Sequence, residues 1–125
     1  MAALPETISK AWDNREGPVV LTTVDANGLP NAIYVTCVKK FDDDKLAIAD
    51  NYFSKTRTNI QAGSKGAILF ITKEEESFQV KGSIDYQARG HIFNDMRDYL
   101  DAEYPVHAVA VLNVEAVFSG SEQLV

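Results

Sequence analysis

Cysteine is nearly absent. Cys37 is the one thiol in 125 residues, so no intrachain disulfide forms and no cysteine cluster can hold a metal. Long apolar runs are missing too: the longest, Ala67-Ile68-Leu69-Phe70-Ile71, is far too short to cross a bilayer. Basic residues are outnumbered, 12 against 18 acidic ones, and the net charge of −6 argues against nucleic acid and anionic membranes as partners. The opening residues, Met1-Ala2-Ala3-Leu4-Pro5-Glu6, lack the basic and apolar regions of a signal peptide, so a cytoplasmic location is expected. No internal repeat or low-complexity linker interrupts the chain. Residues 1–125 are expected to form a single domain, a length that suits one core. The Gly-x4-Gly-Lys spacing of a P-loop does not occur, which excludes that mode of nucleoside triphosphate binding.

One absence is local. From Asn51 to Lys73 there is no Asp or Glu, while Lys55, Arg57, Lys65 and Lys73 supply +4, leaving −10 for the remainder. At the head of this segment stands Asn51-Tyr52-Phe53-Ser54-Lys55-Thr56-Arg57-Thr58-Asn59, after the apolar run Leu46 to Ala49 and before a short helix stopped by Gly63. A strand running into a helix leaves free backbone N–H groups at the junction, where the helix dipole favours an anion. Ser54 and Thr56 add hydroxyls and Lys55 a point charge, so a phosphate is the natural ligand. The competing reading makes Ser54 an ordinary N-cap and the basic residues a solvated face.

Around this junction the elements read in order. Leu4, Ile8, Ala11 and Trp12 have helical spacing ended by Gly17-Pro18, with Trp12 as a packing anchor. Val19 to Val24 is a β-branched strand, and Asp25-Ala26-Asn27-Gly28 a hairpin turn. The returning strand is expected from Ala32 to Phe41, covered on both faces at its centre. Asp42-Asp43-Asp44 is read as a solvated turn, because the spaced ligands of a calcium loop are missing. Strands follow at Lys45 to Ala49, Gly66 to Thr72, Ser77 to Gln87 and Val106 to Phe118, with helices at Lys55 to Ala62 and His91 to Ala102 and a polar tail after Ser119. Hairpin connections make the strands antiparallel, and six of them around one core predict a mainly β fold with short helices, closed as a small barrel.

That element order, with Ser54-Lys55-Thr56 at the junction after the third strand, resembles the FMN-binding split-barrel family, which includes pyridoxamine 5′-phosphate oxidase and small bacterial FMN-binding proteins. The resemblance implies a six-stranded antiparallel split β-barrel of Greek-key type with FMN as cofactor. It implies that Ser54, Lys55, Thr56 and Asn59 belong to the phosphate end. Ile33, Tyr34 and Val35 would line the flavin ring, and Asp50, Asn51, Tyr52 and Phe53 would border it. It also implies a homodimer with the flavin at the interface, in which Tyr104 reaches the partner's flavin. The chain is much shorter than the oxidase proper and has no basic C-terminal substrate segment, so the resemblance implies flavin binding rather than vitamin B6 oxidation.

No catalytic constellation stands out, which suits a protein whose cofactor carries the redox chemistry. His91 and His107 have no metal-ligand partner at useful spacing, and Cys37 reads as a small core residue. Asp50 has two readings, as an acceptor that sets the field at the ring or as the closure of a turn. Tyr104 likewise has a second reading, packed beneath its own helix. Two functions stay open: an FMN-dependent redox protein with an unassigned donor or acceptor, and a non-redox module for another phosphorylated ligand. The aromatic residues Tyr34, Tyr52 and Phe53 beside the junction favour the first, because a planar ring needs such walls.

Overall fold

Pro5 opens the first helix, α1 (Glu6–Asp13), and Ile8 and Trp12, four residues apart on one face, are buried by it. Trp12 meets Phe70 edge-on at 5.2 Å between ring centroids, and the Arg15 guanidinium covers its other side at 4.3 Å. The packing role expected for Trp12 is the one it has. The computed structural model describes residues 3–125; Met1 and Ala2, on which the reading of the leader begins, lie outside the described residues. Among the described residues no helix is long and apolar enough to cross a membrane.

After α1 come β1 (Val19–Val24), β2 (Pro30–Val35), β3 (Val38–Phe41), β4 (Lys45–Asp50), α2 (Lys55–Gln61), β5 (Gly66–Ile71) and β6 (Ser77–Gln87). The chain then forms α3 (His91–Tyr99), β7 (Ala108–Ser119) and β8 (Glu122–Gln123). All strands pair antiparallel in one curled sheet of order β2-β1-β5-β6-β7-β4-β3, with β8 added to β7. The expected six strands are therefore eight. The single strand expected from Ala32 to Phe41 is two: β2 pairs with β1, β3 pairs with β4, and the chain bends between them where the Val38 N–H donates to the Thr36 carbonyl at 3.1 Å. The two ends of the sheet are thus joined by the bend at Thr36-Cys37, not by a ladder of hydrogen bonds. The polar tail also contributes, because Gln123 and Glu122 pair with Phe118 and Ser119.

Hydrophobic alternation sorts the strands between two cores. Leu46 and Ile48 of β4 join Ala110, Leu112 and Val114 of β7 in the main core, with Ile8, Trp12, Leu21, Ile68 and Phe70. Ala47 and Ala49, on the opposite face of β4, join Val109 and Val111 of β7 in a second core beneath Met96 of α3. Both faces of these two strands are covered, so they read as near-continuous apolar runs. Full burial of one such Leu, Ile or Met contributes roughly 1.5–3 kcal/mol. Burial in the stretch from Ala32 to Phe41 is confined to Cys37 and Val38 at the bend and Phe41 at the end of β3, while β2 alternates exposed and half-buried. A bulge between Lys81 and Gly82 bends the long β6–β7 pair, and a Cβ on Gly82 would stand 1.8 Å from the Asn113 carbonyl oxygen, so only glycine fits.

Candidate functional site

The hairpin between β1 and β2 is built on Asp25. Its Oδ1 accepts from the N–H groups of Asn27 and Leu29 at 2.8 and 2.9 Å, and Gly28 supplies the positive φ, +84°. Of the Asn27-Gly28 pair, only the glycine is left-handed. β2 then runs alongside the stretch from Ala49 to Asn59, and two clefts lie one after the other along these neighbouring segments. The first, about 280 Å³, is lined by Ile33, Tyr34 and Val35 of β2, Thr36 and Cys37 of the bend, and Ala49, Asn51, Tyr52, Phe53 and Tyr104. The second, about 360 Å³, is lined by Asp25, Leu29, Pro30 and Asn31 on one side and Ser54, Lys55, Thr58 and Asn59 on the other.

Six of the residues expected at the ring, Ile33, Tyr34, Val35, Asn51, Tyr52 and Phe53, therefore border the first cleft, and Ser54, Lys55 and Asn59 of the expected phosphate end border the second. Tyr34 and Tyr52 stand 77% and 80% exposed, so the first cleft is open on its aromatic side. Ser54 makes no side-chain capping bond to α2, which leaves its hydroxyl for another partner. Thr56 is placed differently. It is buried, and its hydroxyl accepts from Asn31 Nδ2 at 2.9 Å. Asn31 also reaches Thr23 at 3.3 Å, and Asn59 Nδ2 donates to the same Thr23 hydroxyl at 3.0 Å. The hydroxyl and amide groups under the second cleft thus hold one another, and Thr56 supports the cleft floor rather than lining it.

Asp50 stands apart from both clefts. Its side chain is fully buried and lines neither cleft. Arg57 donates to both carboxylate oxygens at 2.7 and 2.9 Å, the Phe53 N–H donates at 3.0 Å, and the Tyr86 hydroxyl donates as well. Burial pushes the Asp50 carboxyl up, but the bonds from Arg57, Tyr86 and Phe53 outweigh it and hold it below the usual carboxylate range. The carboxylate raises Arg57 in turn, while burial and then the bond to Asp50 push the Tyr86 phenol up. Asp50 closes the turn that aims Phe53, the second of its two readings. The pairing also revises the charge argument: Arg57 is neutralised by Asp50, and Lys65 by Glu115 at 2.8 Å, both acids outside the acid-free segment. Lys55 is exposed and makes no ion pair among the described residues.

Tyr104, expected to serve a partner's flavin, lines the cleft of its own chain and packs beside the second core. The adjacent Cys37 thiol, with burial second, pushes its phenol up. Arg97 of α3 holds the segment, donating to the carbonyls of Asp101 and Tyr104. That grip ends α3 at Tyr99 instead of Ala102. Val106 follows with φ of +41°, an outlier for a β-branched residue that costs about 1–3 kcal/mol and delays β7 to Ala108. Its N–H donates to Asn51 Oδ1 at 3.1 Å. His91 and His107 are exposed and line neither cleft. Sequence reasoning missed Thr36, Cys37 and Ala49 in the first cleft and the hairpin residues Asp25, Leu29, Pro30 and Asn31, with Thr58, in the second. The bend brings in Thr36 and Cys37 and the hairpin Asp25 to Asn31, and local composition carries no signal of it, whereas Ala49 and Thr58 lie on the junction stretch itself.

A family model described as pyridoxamine 5′-phosphate oxidase matches residues 5–119. An uncharacterized protein of Methanocaldococcus jannaschii is 30% identical over 89 residues, covering 70% of this chain and 58% of that protein. A pyridoxine/pyridoxamine 5′-phosphate oxidase of Brucella canis is 32% identical over 78 residues, 62% of this chain and 38% of the oxidase. The chain thus spans less than two thirds of the length of these curated relatives. Among solved structures, HupZ of Group A Streptococcus superposes with a TM-score of 0.82 at 24% identity, covering 96% of each chain. An FMN-binding protein from Syntrophomonas wolfei gives 0.78 at 20% identity, over 90% of this chain and 83% of that one. HutZ, the heme storage protein of Vibrio cholerae, gives 0.70 at 15% identity, over 94% and 95%. At these identities the structures establish a shared fold.

Proposed function

The chain belongs to the pyridoxamine 5′-phosphate oxidase family, and on that premise we propose that it is an FMN-binding redox flavoprotein with the ring in the first cleft and the phosphate at the second. The observation that carries this reading is the succession of the two clefts: aromatic and apolar walls over one, Ser54 and the unpaired Lys55 at the other, both along β2 and the stretch 49–59. The donor set fits the group. A planar apolar ring suits Ile33, Val35, Phe53 and the three tyrosines, and a phosphate suits a free hydroxyl, an ammonium and the first N–H groups of α2. When bound, FMN would supply the redox chemistry itself. The chain's residues would hold its two ends, exclude water from one face of the ring and fix its orientation.

A second copy of the chain completes the site in this reading. Ligand clefts normally bury most of their ligand, yet the mouth here is open at Tyr34 and Tyr52. Tyr34 lies opposite Val20, and Val20 opposite Leu69, so an apolar row, exposed at Tyr34 and Leu69 and half-buried at Val20, runs from the cleft mouth across three strands. A two-fold dimer that seats this face would cover both rings with one patch. The test is direct. Purified protein should carry a flavin absorption spectrum, release FMN on denaturation and sediment as a dimer. A heme spectrum, or a protein that takes up no flavin, would contradict the cofactor; a tight-binding monomer would contradict the dimer.

A further inference from the structure

Asn51 is the one polar side chain in the first cleft that combines deep burial with an unused hydrogen-bonding group. Only 9% of the residue is exposed. Its Oδ1 accepts from the Val106 N–H at 3.1 Å, and because a backbone amide can only donate, that bond settles which end of the side-chain amide is oxygen. The other end, Nδ2, has no acceptor among the described residues, and no buried side-chain nitrogen or oxygen there is without a partner. Nδ2 therefore meets open space, and the space Asn51 borders is the first cleft. Val106 cannot give way freely, because it is buried at a φ of +41° between Pro105 and His107. The strained segment and the amide hold each other, and Tyr104, two residues earlier, is fixed as a wall of the same cleft.

We infer that Asn51 is the specificity-determining residue of the first cleft: pinned through Val106, it presents amide N–H donors that select a ring ligand carrying a hydrogen-bond acceptor, a carbonyl oxygen or an imine nitrogen, at that edge. The inference rests on the flavin reading and adds the group that reads the ring. It separates the two ends of the ligand. Lys55 answers to the phosphate, whereas Asn51 answers to the ring and is indifferent to the phosphate.

Asn51→Asp tests this, because it keeps an oxygen for Val106 and replaces the donor with an acceptor. Asn51→Leu removes both. Wild-type and variant apo-proteins are titrated with FMN and with riboflavin, and amide hydrogen exchange is followed at Val106. Asn51→Asp should lose about tenfold or more in affinity for both flavins, by the same factor, with Val106 still protected. Asn51→Leu should lose affinity and also Val106 protection. If Asn51→Asp binds both flavins as wild type does, or loses affinity for FMN alone, the assignment of Asn51 is overturned while the flavin reading stands. If the wild type takes up neither flavin, the flavin reading falls and this inference with it.

Discussion

Asp50 and Lys55 stand on one junction and carry opposite charges, and their surroundings differ as much as their signs. Asp50 is fully buried and meets Arg57, Tyr86 and the Phe53 N–H. Lys55 is exposed at the lip of the second cleft and makes no ion pair among the described residues. A buried charge keeps its place only when its partners are inside the protein, and a removed partner is felt by the whole fold. An exposed charge without a partner has no such duty, and is available to a ligand. The comparison assigns stability to Asp50 and binding to Lys55.

Breaking the first member should give the largest effect. Asp50→Ala removes three donors' common acceptor and should cost about 3 kcal/mol, read as a lower urea midpoint at unchanged slope. An Asp50 loss below about 1 kcal/mol would put this carboxylate among surface groups. The pH dependence sharpens the same point. The folded-state pKa of Asp50 is depressed, so the unfolded chain binds the proton more readily. The stabilisation is present in full above the ordinary carboxylate pKa and is lost as pH falls through the depressed folded value. Wild type should therefore lose stability across that acid window, and Asp50→Ala should lose less of it. An equal slope in both would show that other carboxylates set the acid limit.

Tyr86→Phe takes away one of the bonds to Asp50 and leaves the others, so about 1 kcal/mol is expected from unfolding. Smallest of all is Lys65→Ala. Lys65 pairs with Glu115 where both are well exposed, at 71% and 40% of their side chains, and no measurable shift in midpoint is expected. A clear destabilisation there would mean that the pair pins the β6–β7 bulge, near which Glu115 sits.

Much of this was legible in the chain. β1 and β6 fall at the residues their β-branched and alternating patterns mark, and Ile92 and Met96 turn α3 onto the second core as their spacing requires. The bend at Thr36-Cys37 was not legible, since neither residue is a breaker; the bend follows from β2 and β3 serving opposite ends of one sheet. β8 was hidden because two edge residues carry no period. At the site, the aromatic residues and Ser54-Lys55 could be read from composition beside an acid-free helix start. Turn closure was one of the two readings of Asp50, but its pairing with Arg57 could not be read from the chain, and neither could the contacts from other elements: Tyr86 on β6 donating to Asp50, and Asn31 on β2 donating to Thr56.

The division between the two charges meets its most direct test in one thermodynamic comparison: FMN and riboflavin titrated into wild-type and Lys55→Ala apo-proteins. Removing a charge-assisted bond to phosphate should weaken FMN by roughly ten- to hundredfold while leaving riboflavin unchanged. Unfolding of the variant should stay within about 0.5 kcal/mol of wild type. Wild type should also prefer FMN to riboflavin, and the variant should have lost most of that preference. Equal affinity of wild type for both flavins, or a Lys55→Ala protein that binds FMN undiminished, would contradict a phosphate site at this lysine.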